Sequence, residues 1–251
     1  MSTTPPPDAS LDDLLAAART RYRVRFDSVT VGGTTLEVPQ IEDMEAFVDG
    51  LLRDLPEGMP PELPFWAKIW RTSLLASLVI QRLEPDGRSL LEIGGGVGVC
   101  GLFAAAKGFT ATISDINPDA VLFIRIAALK NGLGDRVRAR RVDFTKDRMG
   151  ERFDVIVGSE ILYLEKQARP LAKFLDAHIS LRPGAEIVLA RNYCRQAKKF
   201  LSLAQDAYDI KACTIGFKSS AHDSADKTDD SGPTPEKHLS TIYRMTRKTH
   251  A

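Results

Sequence analysis

Cysteine is scarce in this chain. Its three cysteines, Cys100, Cys194 and Cys213, are odd in number and form no C-x-x-C pair. That pattern argues against a disulfide framework or a thiolate zinc site and fits a reducing compartment. The four histidines (His178, His222, His238 and His250) show no metal-ligand spacing, so no metal is expected. No apolar run approaches the roughly 20 residues that span a bilayer, so no membrane partner is expected. The opening MSTTPPPDAS lacks a basic region followed by an apolar core, which leads to the expectation of a cytoplasmic protein without a signal peptide. An excess of one charge is missing too: 34 Lys and Arg stand against 33 Asp and Glu. No global field therefore favours nucleic acid or an anionic membrane. The most basic stretch, RVRARR at 136–141, alternates as a strand with solvent-facing arginines would, and cations suit an edge strand. Nothing in these numbers indicates an oligomeric state.

What is present reads as one α/β domain with an N-terminal elaboration. Residues 1–9 read as disordered. Ser10-Leu11-Asp12-Asp13 opens a short helix with a capping box, and VRFDSVTV and TTLEVPQI flank Gly32-Gly33 as a hairpin. A helical pattern follows in MEAFVDGLLRDL, then a proline-rich connection, then one helix over PFWAKIWRTSLLASLVIQRL with Trp66 and Trp70 near its start. From residue 89 the order becomes regular. SLLEI, TATISDI, RVRARRVDF, FDVIVGS and AEIVLARN are strand-like, and helical segments separate most of them. Five strands in such alternation make a Rossmann-like, doubly wound parallel sheet. Two further strands, IKACTIGFKS and LSTIYRMTRK, are joined by no helix and form a C-terminal antiparallel hairpin. The polar linker between them, 218–238, reads as disordered. The expected layout is an extension over 1–62 and a seven-stranded, mostly parallel domain over 63–251.

The first strand of that domain ends in LLEIGGGVGVCG. Gly96, Gly98 and Gly101 spell G-x-G-x-x-G between a strand and a helix, the fingerprint of nicotinamide dinucleotides. Asp115 follows Gly96 by 19 residues, where an acid holds ribose hydroxyls. A second register, Glu92-x-Gly94-x-Gly96-x-Gly98, uses the same residues. A carboxylate at Glu92 repels pyrophosphate but suits a ligand bearing an ammonium and a sulfonium, which S-adenosylmethionine does. Asp143, after the third strand, suits the adenine amino group, with Phe144 against the ring. Together these residues favour S-adenosylmethionine.

After the fourth strand comes SEILY. Glu160 and Tyr163 stand three apart beside Ser159, and share a side if a helical turn begins there. No Asn/Asp-Pro-Pro-Tyr stretch, which would mark a planar amide or adenine acceptor, is present. A charged aliphatic amine fits better. Cys100 reads as a packing residue, and Lys198 and Lys199 as a solvated helix face, with Arg191, Asn192 and Tyr193 as possible lining of an acceptor groove.

The seven-strand plan and E-x-G-x-G-x-G resemble class I S-adenosylmethionine-dependent methyltransferases from about residue 63 onward. More narrowly, PFWAKIWRTSLLASLVI and SEILY resemble the seven-β-strand protein lysine methyltransferases (methyltransferase family 16). The double tryptophan is most similar to the electron-transfer-flavoprotein β-subunit lysine methyltransferases. The resemblance implies that Trp70, Gly94, Gly96, Gly98, Asp115, Ile116, Asp143, Phe144 and Ser159 contact the cofactor. It also implies that Glu160 and Tyr163 are the family's [DE]-x-x-Y motif and that the substrate is a protein presenting a lysine. Two departures stand out. Arg71-Thr72 replaces a proline-containing stretch, and the motif acid is Glu, one methylene longer than Asp. A small-molecule amine, an RNA acceptor and a non-catalytic cofactor-binding module stay open as alternatives.

Overall fold

The computed structural model describes residues 5–56, 58–162, 164–192, 197–218 and 237–248. The sheet carries seven strands in the order β5-β4-β3-β6-β7-β9-β8. Here β3 is Ser89–Ile93, β4 Thr110–Asp115, β5 Val137–Arg141, β6 Val155–Ser159, β7 Glu186–Asn192, β8 Tyr208–Lys218 and β9 Lys237–Arg247. The first five are mutually parallel, and β9 inserts antiparallel between β7 and β8. The expected seven-stranded sheet with a terminal antiparallel pair is thus present. The strand order reverses at β3, where chains leave in opposite directions and open a crevice at the carboxyl ends.

Alternate residues of the central strands feed two cores, one on each face. Leu90, Val155, Val157 and Val188 join one cluster, while Leu91, Ile156, Ile187 and Leu189 join the other. Near-continuous apolar strands are what a sheet covered on both faces requires. On the first face lie α3 (Arg71–Ile80), α4 (Val99–Lys107) and α5 (Pro118–Lys130); on the second lie α6 (Ala168–His178) and α7 (Lys198–Ala204). In α6, Leu171, Phe174 and Leu175 are buried as the periodicity requires. The edge strand β5 carries the basic stretch, with Arg138 and Arg140 both paired to Glu151 at 3.3 and 2.7 Å.

The N-terminal elements do not stand apart. Helix α1 (Leu11–Arg19) opens on the expected capping box, Ser10 and Asp13 each accepting from the other's amide. Strands β1 (Val24–Val31) and β2 (Thr34–Ile41) form the hairpin about Gly32-Gly33. Leu14, Val31, Leu36 and Val38 are buried in the same cluster as α4 and α5. Asn131 clamps the hairpin by both accepting from and donating to the Glu37 backbone, at 2.8 Å each. Residues 5–9, expected to be disordered, also pack. Arg125 donates to the carbonyls of Pro5, Pro6 and Pro7, and Ala9 lies against the core. A guanidinium with several donors can strap a proline run whose carbonyls no local N–H satisfies.

Two further expectations are corrected. The tryptophan segment is not one helix: a 3-10 turn at Phe65–Ala67 is followed by extended Lys68, and α3 begins only after Trp70. The break separates residues that an unbroken helix would stack on one side. Trp66 packs inward on Tyr22 and Phe123, while Trp70 borders a cavity. The polar linker is also shorter than 218–238, because β8 includes Lys218 and β9 begins at Lys237; 219–236 lie outside the described residues.

Candidate active site

A cavity of about 510 Å³ opens over the carboxyl ends of β3, β4 and β6. Its floor is the turn after β3. Gly95 donates to the Ser114 carbonyl at 2.9 Å, and Gly96 donates to Asp115 Oδ2 at 2.9 Å. Asp115 Oδ1 accepts from Asn117, whose own Oδ1 caps α5 by accepting from Asp119 and Ala120. Burial pushes the Asp115 carboxyl up, against the pull of these amides. Gly96 cannot carry a side chain. Its φ is +57°, and a β-carbon there would meet the Trp66 carbonyl oxygen at 2.6 Å. The 3-10 turn is thus seated directly on the glycine loop.

That seating closes a ring of contacts. From Gly96 it runs through Asp115, Asn117 and Asp119 to the Tyr22 hydroxyl, which donates to Asp119 Oδ2 at 2.6 Å. Tyr22 then meets the Trp66 ring edge-on at 5.8 Å, and the Trp66 carbonyl returns to Gly96. Sequence reasoning missed Tyr22, whose partner Asp119 is 97 residues away, and missed Asn117, whose bonds are local but join the circuit only through the fold.

Of the residues expected at the cofactor, Trp70, Gly94, Gly96, Asp115, Ile116, Asp143, Phe144 and Ser159 all line this one cavity. Glu92 and Gly98 lie behind its wall. Glu92 is 1% exposed and accepts from Cys100 and Gly101 at 3.3 and 2.7 Å. It satisfies the first amides of α4 rather than facing a ligand. Burial pushes its carboxyl up to about 7, partly offset by those two bonds. Gly101 makes the arrangement possible, since a β-carbon there would stand 2.4 Å from Ile113. Cys100 is fully buried, in keeping with a packing role. Asp143 Oδ1 accepts from the Thr145 amide and hydroxyl at 2.9 and 2.6 Å, which holds its carboxyl below the usual range.

Glu160, just past β6, also lines the cavity. Its amide donates to the Ala190 carbonyl at 2.9 Å, and its Oε1 accepts from Asn192 at 2.8 Å. Its φ of +55° is left-handed, a conformation that costs a side-chain-bearing residue about 1–2 kcal/mol. Among the described residues, the next helical ones after Glu160 are Glu165–Gln167, so the condition for Glu160 and Tyr163 to share a side is not seen there. Tyr163, Tyr193 and Cys194 lie outside the described residues. Glu62, Leu63, Phe65, Trp66, Lys68 and Gln167 also border the cavity, and sequence reasoning did not single them out as site residues except for the tryptophan pair. Among the described residues, no group of His, Cys, Asp and Glu could hold a metal, and no helix is long and apolar enough to cross a membrane.

The comparison with known families decides what this cavity belongs to. Residues 66–207 match the family described as lysine methyltransferase. The chain belongs to methyltransferase family 16. Among curated relatives, a ribosomal protein L11 methyltransferase of Deinococcus radiodurans is 28% identical over 61% of this chain and 55% of its own length. A protein N-lysine methyltransferase, METTL21A of Danio rerio, is 24% identical over 58% of this chain and 69% of its own. The chain thus spans about half the length of the L11 methyltransferases it matches. In fold it is similar to a SAM-dependent methyltransferase from Agrobacterium tumefaciens (TM-score 0.57, 15% identity, 88% of this chain and 70% of that one). A ribosomal protein L11 methylase from Lactobacillus delbrueckii subsp. bulgaricus is another such neighbour (TM-score 0.52, 18% identity, 71% and 80%). The cofactor of this methyltransferase fold is S-adenosylmethionine, and the residues here fit it: a side-chain-free cradle at Gly94 to Gly96, with Asp115 at its rim.

Proposed function

We propose that this protein transfers methyl groups from S-adenosylmethionine to a lysine side chain of a protein substrate. The observation that carries the reading is Glu160, held in a left-handed backbone on the cavity wall that also contains the glycine loop. Strain of this kind persists where the surroundings over-determine it, and it clusters at functional sites. The curated relatives add support, because two of the names found, L11 methyltransferase and N-lysine methyltransferase, belong to enzymes named for protein acceptors.

When bound, S-adenosylmethionine supplies an electrophilic methyl on a sulfonium, and an in-line displacement needs no acid for the leaving group. The chain's task is alignment, exclusion of water and delivery of an unprotonated amine. Asp115 and the amides of the glycine loop orient one end of the cavity. Trp70, Phe65 and Ile116 line it with apolar surface. Glu160 receives the incoming lysine as an ammonium and aims it. Neutralising a lysine near neutral pH costs about 4 kcal/mol, and a carboxylate alone raises that cost. Desolvation on docking would favour loss of the ammonium's proton to bulk water, and the positive charge of a bound cofactor would favour it further.

The test is transfer of label from tritiated cofactor into extract of cells lacking the gene, followed by acid hydrolysis. Methyl-lysine is the expected product. Label that nuclease removes, or that stays in small solutes, overturns the lysine assignment. Glu160→Gln should lower the rate about a hundredfold or more with cofactor affinity within twofold of wild type, as expected of a residue that acts on the acceptor.

A further inference from the structure

Ten large apolar side chains are strongly exposed among the described residues, and four of them, Leu51, Leu52, Met59 and Phe65, fall within fifteen residues of one another in the chain. The stretch begins in α2 (Met44–Arg53). Met44, Phe47, Val48 and Leu51 recur at helical spacing as one stripe, yet no residue of α2 is buried. A helix gains most of its stability by burying such a stripe; here Met44 and Phe47 pack partly against the core, while Leu51 and its neighbour Leu52 stay exposed, so the far end of the stripe is left uncovered among the described residues.

The stripe adjoins the active site. Phe47 and Trp66 both pack on the Tyr22 ring, at 5.3 and 5.8 Å, and Leu63, Phe65 and Trp66 line the cavity itself. Charge adds direction. Residues 42–62 carry seven acids against a single base, Arg53, in a chain whose net charge is +1. Glu42 is paired with Arg23 and Asp43 caps α2, but Glu45, Asp49, Asp54 and Glu62 meet no cation among the described residues.

We infer that residues 44–56 and 58–65 form the docking surface for the acceptor protein, and that it selects a lysine-rich segment bearing apolar side chains. The inference rests on the protein-lysine reading above. A small amine would need no such surface. A second copy of the chain would oppose acid to acid, whereas a basic segment meets complementary charge and carries its lysine toward Glu160 on the same rim.

The experiment measures initial rates of label transfer from tritiated S-adenosylmethionine into protein of gene-deleted extract. Wild type is compared with Asp49→Lys/Asp54→Lys and with Leu51→Ser/Leu52→Ser. All four side chains are exposed, so melting temperature and cofactor affinity should match wild type. Raising salt from about 20 to about 300 mM should slow wild type roughly tenfold. The charge-reversed enzyme should be about tenfold slower at low salt and insensitive to salt, and the serine enzyme about tenfold slower throughout. A synthetic peptide of lysine and leucine should inhibit wild type, and one of glutamate and leucine should not. Variants that label extract at the wild-type rate overturn the docking surface, as does a dimer in wild type that either pair of substitutions dissolves. Label absent from lysine in wild type defeats the lysine reading itself, a result distinguishable from the others by the hydrolysate.

Discussion

The cofactor wall and the acceptor wall meet in one cavity but are held by different means. On the cofactor side, Gly96, Asp115, Asn117 and Asp119 are fixed by short bonds, three of the four made by backbone amides. The Trp66 carbonyl leaves no room for even a methyl group at Gly96. On the side proposed for the acceptor the surface is made of side chains: Phe65 is 63% exposed, and Leu52 of the neighbouring α2 is 47% exposed. The contrast separates a part of the site that must present one geometry to one invariant ligand from a part whose side chains can change without disturbing the backbone. Catalytic scaffolds commonly carry variable function on surface segments in this way.

The sharpest way to break the comparison is Gly96→Val. A β-carbon 2.6 Å from a backbone carbonyl, at φ +57°, forces the glycine loop or the 3-10 turn to move. Cofactor binding measured by calorimetry should fall at least a hundredfold, about 2.7 kcal/mol or more. Wild-type affinity would show that the loop is looser than the contacts around it imply. A smaller effect comes from opening the ring at its distant link. Tyr22→Phe keeps the ring packing but leaves Asp119 without the phenol bond, and cofactor affinity should drop about three- to tenfold. Asn131→Ala releases the hairpin from α5 at Glu37 without touching the ring. It should lower the melting temperature and leave cofactor affinity unchanged; equal loss in both variants would reduce Tyr22 to a purely stabilising residue.

The same division decided what could be read from the residues alone. The glycine register, Asp115 and Asp143 were legible because short motifs at strand ends carry their geometry with them. So were the strands, since buried parallel strands announce themselves as apolar runs. Glu92 was legible as important but not in its role. Its type and position are compatible with facing a ligand or with capping α4, and only its hydrogen bonds to Cys100 and Gly101 distinguish the two. The break between Trp66 and Trp70 was hidden because each tryptophan answers to tertiary partners, Tyr22 and Phe123 for the first and the cavity for the second. Local periodicity carries no information about partners over forty residues away. Tyr22 itself lies in a stretch with no motif at all.

Glu92 supplies the mildest test, and it concerns the foundation of the cofactor wall rather than its surface. Its carboxyl has an ordinary value of 4.5 and is pushed by burial to about 7 in the folded protein. Below about pH 4.5 both folded and unfolded chains hold the proton, and no stability depends on it. As pH rises from there to about 7, the unfolded chain releases the proton while the folded chain retains it, so stability declines across that window and levels off above it. The full swing is on the order of 3 kcal/mol, with the opposing pull of the Cys100 and Gly101 amides, which favour the ionised form, already contained in the value of about 7. Glu92→Gln removes the titration. Its amide can accept from one of the two N–H groups but turns a donor toward the other, so the variant should be less stable at every pH. The informative quantity is therefore the slope, taken from urea unfolding between about pH 4.5 and 7 in wild type and variant. A flatter profile in Glu92→Gln is expected, with Asp115 contributing a residual slope of the same sign because burial raises it as well. Parallel profiles would mean that the two amides keep Glu92 ionised throughout, and that the glycine loop rests on a permanent negative charge.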